Sequence, residues 1–246
     1  MQHSSYEDRL KIDLCCRVML LRRIKSEVLN LPEIIRHTKY VELIPNEREI
    51  YDTIKSLYKQ GDTSFINLVL NASHFTLGLP KAKNSILQLH LNKLESDSYR
   101  GCKIEFFLND IVPNLKGKTI VFSQYKEILT KLYSVLSEKA AFIYGDLSET
   151  ERLDMLAKFK ERSEISFLFI TITLGGIGLD LSCAQNVVMF EKHWNPAVER
   201  QAIDRMHRIG QTEKMHVYII YAMNTVDDRK SFISQQKVVL NQAICG

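Results

Sequence analysis

Lys118-Thr119-Ile120-Val121-Phe122-Ser123 is an apolar run bounded by polar residues, too short for a helix and long enough for a strand. It does not alternate apolar with polar, so it reads as a strand covered on both faces. The chain beyond it is rhythmic. Glu127 to Leu136 reads as a helix and Ala140 to Tyr144 as a strand. Ser148 to Phe159 reads as a helix opened by a capping box, Ser148 at the N-cap and Glu151 three residues on. Phe167 to Thr171 and Asn186 to Phe190 read as further buried strands, Pro196 to Met206 as a helix with proline first, and Val217 to Ala222 as a last strand. Apolar strands separated by helices predict an α/β fold, a doubly wound and mostly parallel sheet with right-handed crossovers. Such sheets bind ligands beyond the carboxyl ends of their strands. The loops after Phe122, Tyr144, Thr171 and Phe190, with the start of the helix at Pro196, are therefore where a site is expected.

Outside this block the rhythm is different. Arg17 to Val28 has helical spacing, and Leu31-Pro32 stops it, because a residue before proline avoids the α region. Thr38 to Ile44 reads as a strand and Glu47 to Tyr58 as a helix, whereas Gly61 to Pro80 shows no clear pattern. Helices are predicted over Lys83 to Leu94, Ile104 to Val112 and, last, Val226 to Ile244.

Composition excludes several classes. The chain has 246 residues, 45% apolar and 25% charged, which is globular composition with a sizeable core. A formal net charge of +4 does not by itself point to nucleic acid. Five cysteines, an odd number with Cys15 and Cys16 adjacent and no C-x-x-C pair, argue against a disulfide framework or a zinc site. No metal ligands are expected, and a reducing compartment is the natural reading. Residues 1–13 contain no apolar signal core, and no run reaches the roughly 18 apolar residues of a membrane span. Neither secretion nor membrane insertion is expected.

Three segments carry chemistry. Thr171-Ile172-Thr173-Leu174-Gly175-Gly176-Ile177-Gly178-Leu179-Asp180-Leu181 sets three glycines just past a buried strand. Glycines let backbone N–H groups converge on an anion, although a ligand-free βα turn explains them about as well. Glu191-Lys192-His193-Trp194-Asn195-Pro196 holds the single tryptophan. It is either a core anchor or an exposed ring for a nucleic-acid strand, and its polar neighbours favour exposure. In Gln201 to Gln211, Gln201, Arg205 and Arg208 fall at i, i+4 and i+7, a cationic stripe on one helical face. Arginine offers forked donors to phosphate oxygens, but an ordinary surface pair with acids such as Asp204 is the common alternative.

Taken in order, Gly-Gly-x-Gly-Leu-x-Leu (Gly175 to Leu181), Trp-Asn-Pro (Trp194 to Pro196) and Gln-Ala-x-Asp-Arg-x-His-Arg-Ile-Gly-Gln (Gln201 to Gln211) resemble motifs five and six of the Swi/Snf-type ATPases of helicase superfamily two. Met19-Leu20-Leu21-Arg22-Arg23-Ile24-Lys25 with Leu31-Pro32 resembles the family's link between lobes. Gly117 to Gln124 resembles motif four, and Tyr144-Gly145-Asp146 with Arg152 and Phe159 resembles the segment after it. Thr225-Val226-Asp227-Asp228-Arg229 resembles the start of the closing brace helix.

The resemblance implies a RecA-like helicase C-terminal lobe over residues 104–224, an inter-lobe linking and helical segment over 1–103, and a brace helix over 225–246. It implies half of a motor in which ATP and Mg sit between two lobes and double-stranded DNA crosses both. Arg205 and Arg208 would be catalytic arginine fingers, worth roughly 10³–10⁵ in rate in other phosphoryl-transfer systems. Gln201, Gly176, Gly178 and Asp180 would line the nucleotide. Thr171, Trp194, Ser123 and Arg152 would contact DNA without reading bases. A nuclear location, or failing that the cytoplasm, and work on nucleosomes or transcription machinery follow from the resemblance alone.

The chain departs from the family at Asp180, where Asn is usual, at Glu191, where Asp is frequent, and at Leu174 in place of Ala. No G-x-x-x-x-G-K-[ST] string and no D-E-x-H box occurs in it. The chain alone is expected to lack useful ATP hydrolysis, to need an N-terminal ATPase lobe in cis or in trans, and to be a fragment, a split product or a truncated relative. A non-catalytic DNA- or partner-binding regulatory module and a strand-separating helicase are the alternatives.

Overall fold

The structure is a computed structural model that describes residues 31–80, 85–96, 99–175, 179–233 and 236. The helix expected over Arg17 to Val28 lies outside them, as do Gly176 and Gly178.

Thr119–Ser123 (β2) is a strand buried at every position, as its unbroken apolar run requires. Ala140–Ile143 (β3), Phe167–Thr171 (β4) and Asn186–Met189 (β5) succeed it, with Ile34–Val41 (β1) before and Met215–Ala222 (β6) after. The six strands form one sheet in the order β1-β6-β5-β2-β4-β3. All pairings are parallel. β1 lies four residues earlier than the predicted strand because its register with β6, Ile34 opposite Met215 to Val41 opposite Ala222, fixes both ends. It belongs to the sheet rather than to a separate linking segment.

The helices begin with Pro45–Gln60 (α1), which stops at Gly61, where φ is +86°, a conformation glycine adopts without Cβ strain. Phe65–Ser73 (α2) occupies the stretch that showed no pattern, and Ser85–Ser96 (α3) comes after it. Cys102–Phe106 (α4) runs on through one wide turn, Phe107–Ile111, and one tight turn at Val112–Asn114, where Pro113 ends it. Lys126–Leu136 (α5) and Glu149–Glu161 (α6) come next. The predicted capping box of α6 is formed: the Glu151 amide donates to the Ser148 hydroxyl, and the Ser148 amide donates to the Glu151 carboxylate at 2.8 Å. Ile172–Gly175 (α7) and Pro196–Asp204 (α8) precede β6, and residues 226–233 form the closing helix, α9.

The two sheet faces are both covered. Ile120, Phe122, Leu168, Ile170, Val187 and Val217 point one way, onto Phe159 of α6, Leu174 of α7 and Ala202 and Ile203 of α8. Val121, Phe169, Val188 and Ile220 point the other way, onto Ile104 of α4 and Ile128, Leu129 and Leu132 of α5. A third core joins α1, α2 and α3 through Ile50, Ile54, Val69 and Leu91, and Val226 of α9 enters it.

Candidate nucleotide and nucleic-acid interface

The chain leaves β2 towards the β4-β3 side of the sheet and leaves β5 towards β6, so the connections diverge between β2 and β5. Glu191 fills the mouth of that crevice and is 2% exposed. One of its oxygens accepts the Ser123 hydroxyl and the Gln124 amide, each at 2.6 Å. Burial pushes the Glu191 carboxyl pKa up, against these hydrogen bonds and the nearby Lys230 and Lys103 ammonium groups. Ser123 is therefore buried and engaged within the fold, a correction to its place among surface DNA contacts. Thr171 pairs in register with Ser123 and is also buried, at 8% exposure. Solvent reaches Thr173 instead, two residues on, which sequence reading passed over.

Beyond β4, Asp180 is the hub. One of its oxygens accepts the Ser182 hydroxyl at 2.9 Å and lies 3.7 Å from Nε of Arg208, and the other accepts Lys160 at 3.1 Å. Partial burial pushes the Asp180 carboxyl up, but the Ser182 and Lys160 hydrogen bonds outweigh it and hold the pKa at about 2. Its extra negative charge relative to Asn is thus absorbed by two cations of this chain. Lys160 was not legible as a member of the site, because helix α6 brings it there from 20 residues upstream.

The segments 179–184 and 205–211 are fastened together. The Leu181 amide donates to the Arg205 carbonyl at 3.4 Å, and the Gln211 side chain donates to the Ser182 and Ala184 carbonyls at 3.2 and 2.9 Å. The His207 ring donates to the Pro32 carbonyl at 2.7 Å. These ties correct the predicted stripe. Helix α8 ends at Asp204, with Arg205 as its C-cap, and Arg208 lies on the turn beyond it. Gly210, at φ +104°, lets the chain reverse so that Gln211 can reach its carbonyl partners. Gln201 is exposed on α8, Arg205 is half-buried and Arg208 is exposed. The arrangement still presents Arg208 beside Asp180, ahead of the amino end of β5.

Trp194 is half-buried, a correction to the exposed ring that its polar neighbours suggested. It packs against the α1–α3 core, with its ring 5.5 Å from that of Phe65. Arg152 is also half-buried and donates to the Gly145 carbonyl at 2.7 Å, bracing the loop after β3. Lys126, at the start of α5, pairs with Asp146 of the same loop at 2.5 Å and lies 3.9 Å above the Tyr144 ring. Among the described residues no group of three metal-ligating side chains occurs, and no helix is long and apolar enough to cross a membrane.

Residues 102–210 match the helicase conserved C-terminal domain. An uncharacterized ATP-dependent helicase of Mycoplasma pneumoniae is 31% identical over 230 residues, 89% of this chain and 21% of that protein. The chain thus spans about a fifth of that relative's length. The C-terminal part of the Fun30 ATPase domain superposes with a TM-score of 0.60 at 20% identity, covering 88% of this chain and 98% of that one. The Sulfolobus solfataricus SWI2/SNF2 ATPase core in complex with dsDNA gives 0.56 at 22% identity, over 94% of this chain and 50% of that one. The last two show a shared fold. Motifs, fold and relatives agree: the chain carries a helicase conserved C-terminal domain, its homologues are SNF2-family ATP-dependent helicases, and it has the fold of a C-terminal RecA-like helicase lobe.

Proposed function

We propose that this chain acts as the second half of a double-stranded-DNA-dependent ATPase motor, supplying Arg205 and Arg208 to a nucleotide held mainly by another lobe. The observation that carries the reading is the fastening of 179–184 to 205–211, which sets the exposed Arg208 guanidinium 3.7 Å from Asp180, ahead of the amino end of β5. Arg208 is held by one long, solvated contact that a phosphate oxygen can replace. ATP fits here only as a half-site. Arg205, Arg208 and Gln201 can meet its phosphates, whereas the Asp180 carboxylate is already matched by cations, leaving Mg mainly to the N-terminal lobe. Bound Mg would neutralise charge on the β- and γ-phosphates, and the arginines would stabilise what develops on the transferred group.

Double-stranded DNA as the track is supported by the duplex bound to the Sulfolobus core. In this chain Thr173 and Asn195 are exposed beyond the carboxyl ends of β4 and β5. Nucleosomal DNA or transcription machinery in the nucleus is the setting that the family resemblance favours. The test mixes this chain with the N-terminal ATPase lobe of a Swi/Snf relative and tracks duplex-stimulated phosphate release. Activity should return, and Arg208→Ala should lower it by roughly 10³-fold or more. Duplex binding without any restored activity would instead favour the non-catalytic regulatory module, and strand displacement on forked DNA would mark a true helicase.

A further inference from the structure

Lys103, Asp227 and Lys230 take no part in the arginine site, yet all three are 0% exposed. Lys103 donates to one Asp227 oxygen at 2.5 Å and to the Phe190 carbonyl at 3.4 Å, and the same oxygen accepts the Ala222 amide at 3.1 Å. Lys230 is less well served. Its ammonium lies 3.8 Å from the other Asp227 oxygen, beyond hydrogen-bond reach, and neither atom has a hydrogen-bond partner among the described residues. A buried ammonium so poorly bonded is costly, and methionine would fill its volume without that cost.

What the charge gains is an aromatic face. The ammonium lies 5.4 Å from the Trp194 ring, inside the cation–π range. Phe65 of α2 approaches the same ring at 5.5 Å, and the start of α9 is tied to α1 by the Val226 amide donating to the Tyr51 hydroxyl at 2.8 Å. The Glu191 carboxylate, also attracted to Lys230, anchors the other end of the loop on β2. Trp194 is thus where the sheet, the helical layer and the closing helix meet.

We propose that Lys230 is a positioning residue of the duplex contact: through the face of Trp194, its ammonium fixes the 191–195 loop against α9. This role rests on the duplex-binding reading. Because Trp194 is the chain's single tryptophan, its emission reports on this contact directly. The full chain, as wild type, Lys230→Met and Lys230→Arg, is titrated into a labelled 20-base-pair duplex, with anisotropy giving affinity and intrinsic fluorescence giving the ring's environment. Lys230→Met should weaken binding roughly five- to thirtyfold and move the emission of the free chain, with Lys230→Arg within about twofold of wild type.

Should Lys230→Met fold poorly, Trp194→Leu leaves every charge in place and should weaken binding to the same extent. The positioning role is overturned if Lys230→Met matches wild type in both readouts, or if Lys230→Arg is as weak as Lys230→Met. A wild-type chain that binds no duplex overturns the duplex reading and this role with it, so the wild-type titration tells the two failures apart.

Discussion

Two charge clusters lie near the strand ends of one sheet, and they live in different solvents. Asp180, Lys160 and Arg208 have side chains 45%, 33% and 44% exposed. Lys103, Asp227 and Lys230 are fully enclosed. Unit charges about 4 Å apart attract by ~1 kcal/mol in bulk water and by ~4 kcal/mol at the effective dielectric near a protein surface. The solvated cluster can therefore be broken and remade at little cost, which suits groups that must turn to a ligand. The enclosed cluster cannot, which suits a brace. The same residue types serve as handles in one place and as mortar in the other.

The sharpest way to break this contrast is Asp227→Ala. It leaves Lys103 and Lys230 enclosed without a counter-charge between them and should cost about 3–5 kcal/mol of stability in urea unfolding. A loss below about 1 kcal/mol would mean that the enclosed cluster is not a brace.

His74 tests the cost of enclosure without a partner acid. It is 6% exposed. Burial first, then the Lys131 ammonium, bring its pKa down to about 3, against a hydrogen bond at the Arg100 backbone. The unfolded chain binds this proton below pH ~6.5, whereas the folded chain does not until about pH 3. Stability from this group is thus complete above pH 6.5 and falls with acidification between the two values, by up to about 1.4 kcal/mol per pH unit. Unfolding curves at pH 7, 6 and 5 should show this slope, and His74→Gln should flatten it.

The smallest effects are expected at the solvated cluster. Asp180→Asn and Arg208→Ala should each change stability by no more than about 0.5 kcal/mol, since screening discounts a pair this exposed. Asp180, with its depressed pKa, contributes its share above its ordinary range and loses it as pH falls through about 2. A melting-temperature drop in Arg208→Ala as large as that of Asp227→Ala would erase the distinction between the clusters.

How far sequence reading reached was a matter of range. The four inner strands and helices α5, α6 and α8 were legible because apolar runs, a capping box and a proline at a helix start are local signals. Helix α2 was not, because it is apolar almost throughout and its Leu68 and Val69 are placed by α1 and α3 rather than by a periodic stripe. The Arg205–Arg208 geometry failed for a similar reason. Spacing implies an unbroken helix, while the carbonyl contacts of Gln211 and the reversal at Gly210 are tertiary. Trp194 had polar neighbours in sequence but Phe65 and Lys230 in space. The enclosed charges joined residues 103, 191, 227 and 230, which no window contains.

The pairing of β1 with β6 has a consequence for synthesis. Ile34 meets Met215, so about 180 residues must be added after the first strand before its neighbour exists, on the order of ten to forty seconds at ~5–20 residues per second. Until then a strand carrying Ile34, Ile35, Tyr40 and Val41 leaves the ribosome with its backbone edge bare, the kind of edge that other nascent chains can capture. Chaperone demand should concentrate on the earliest-made part of the sheet, although that part ends up at its rim.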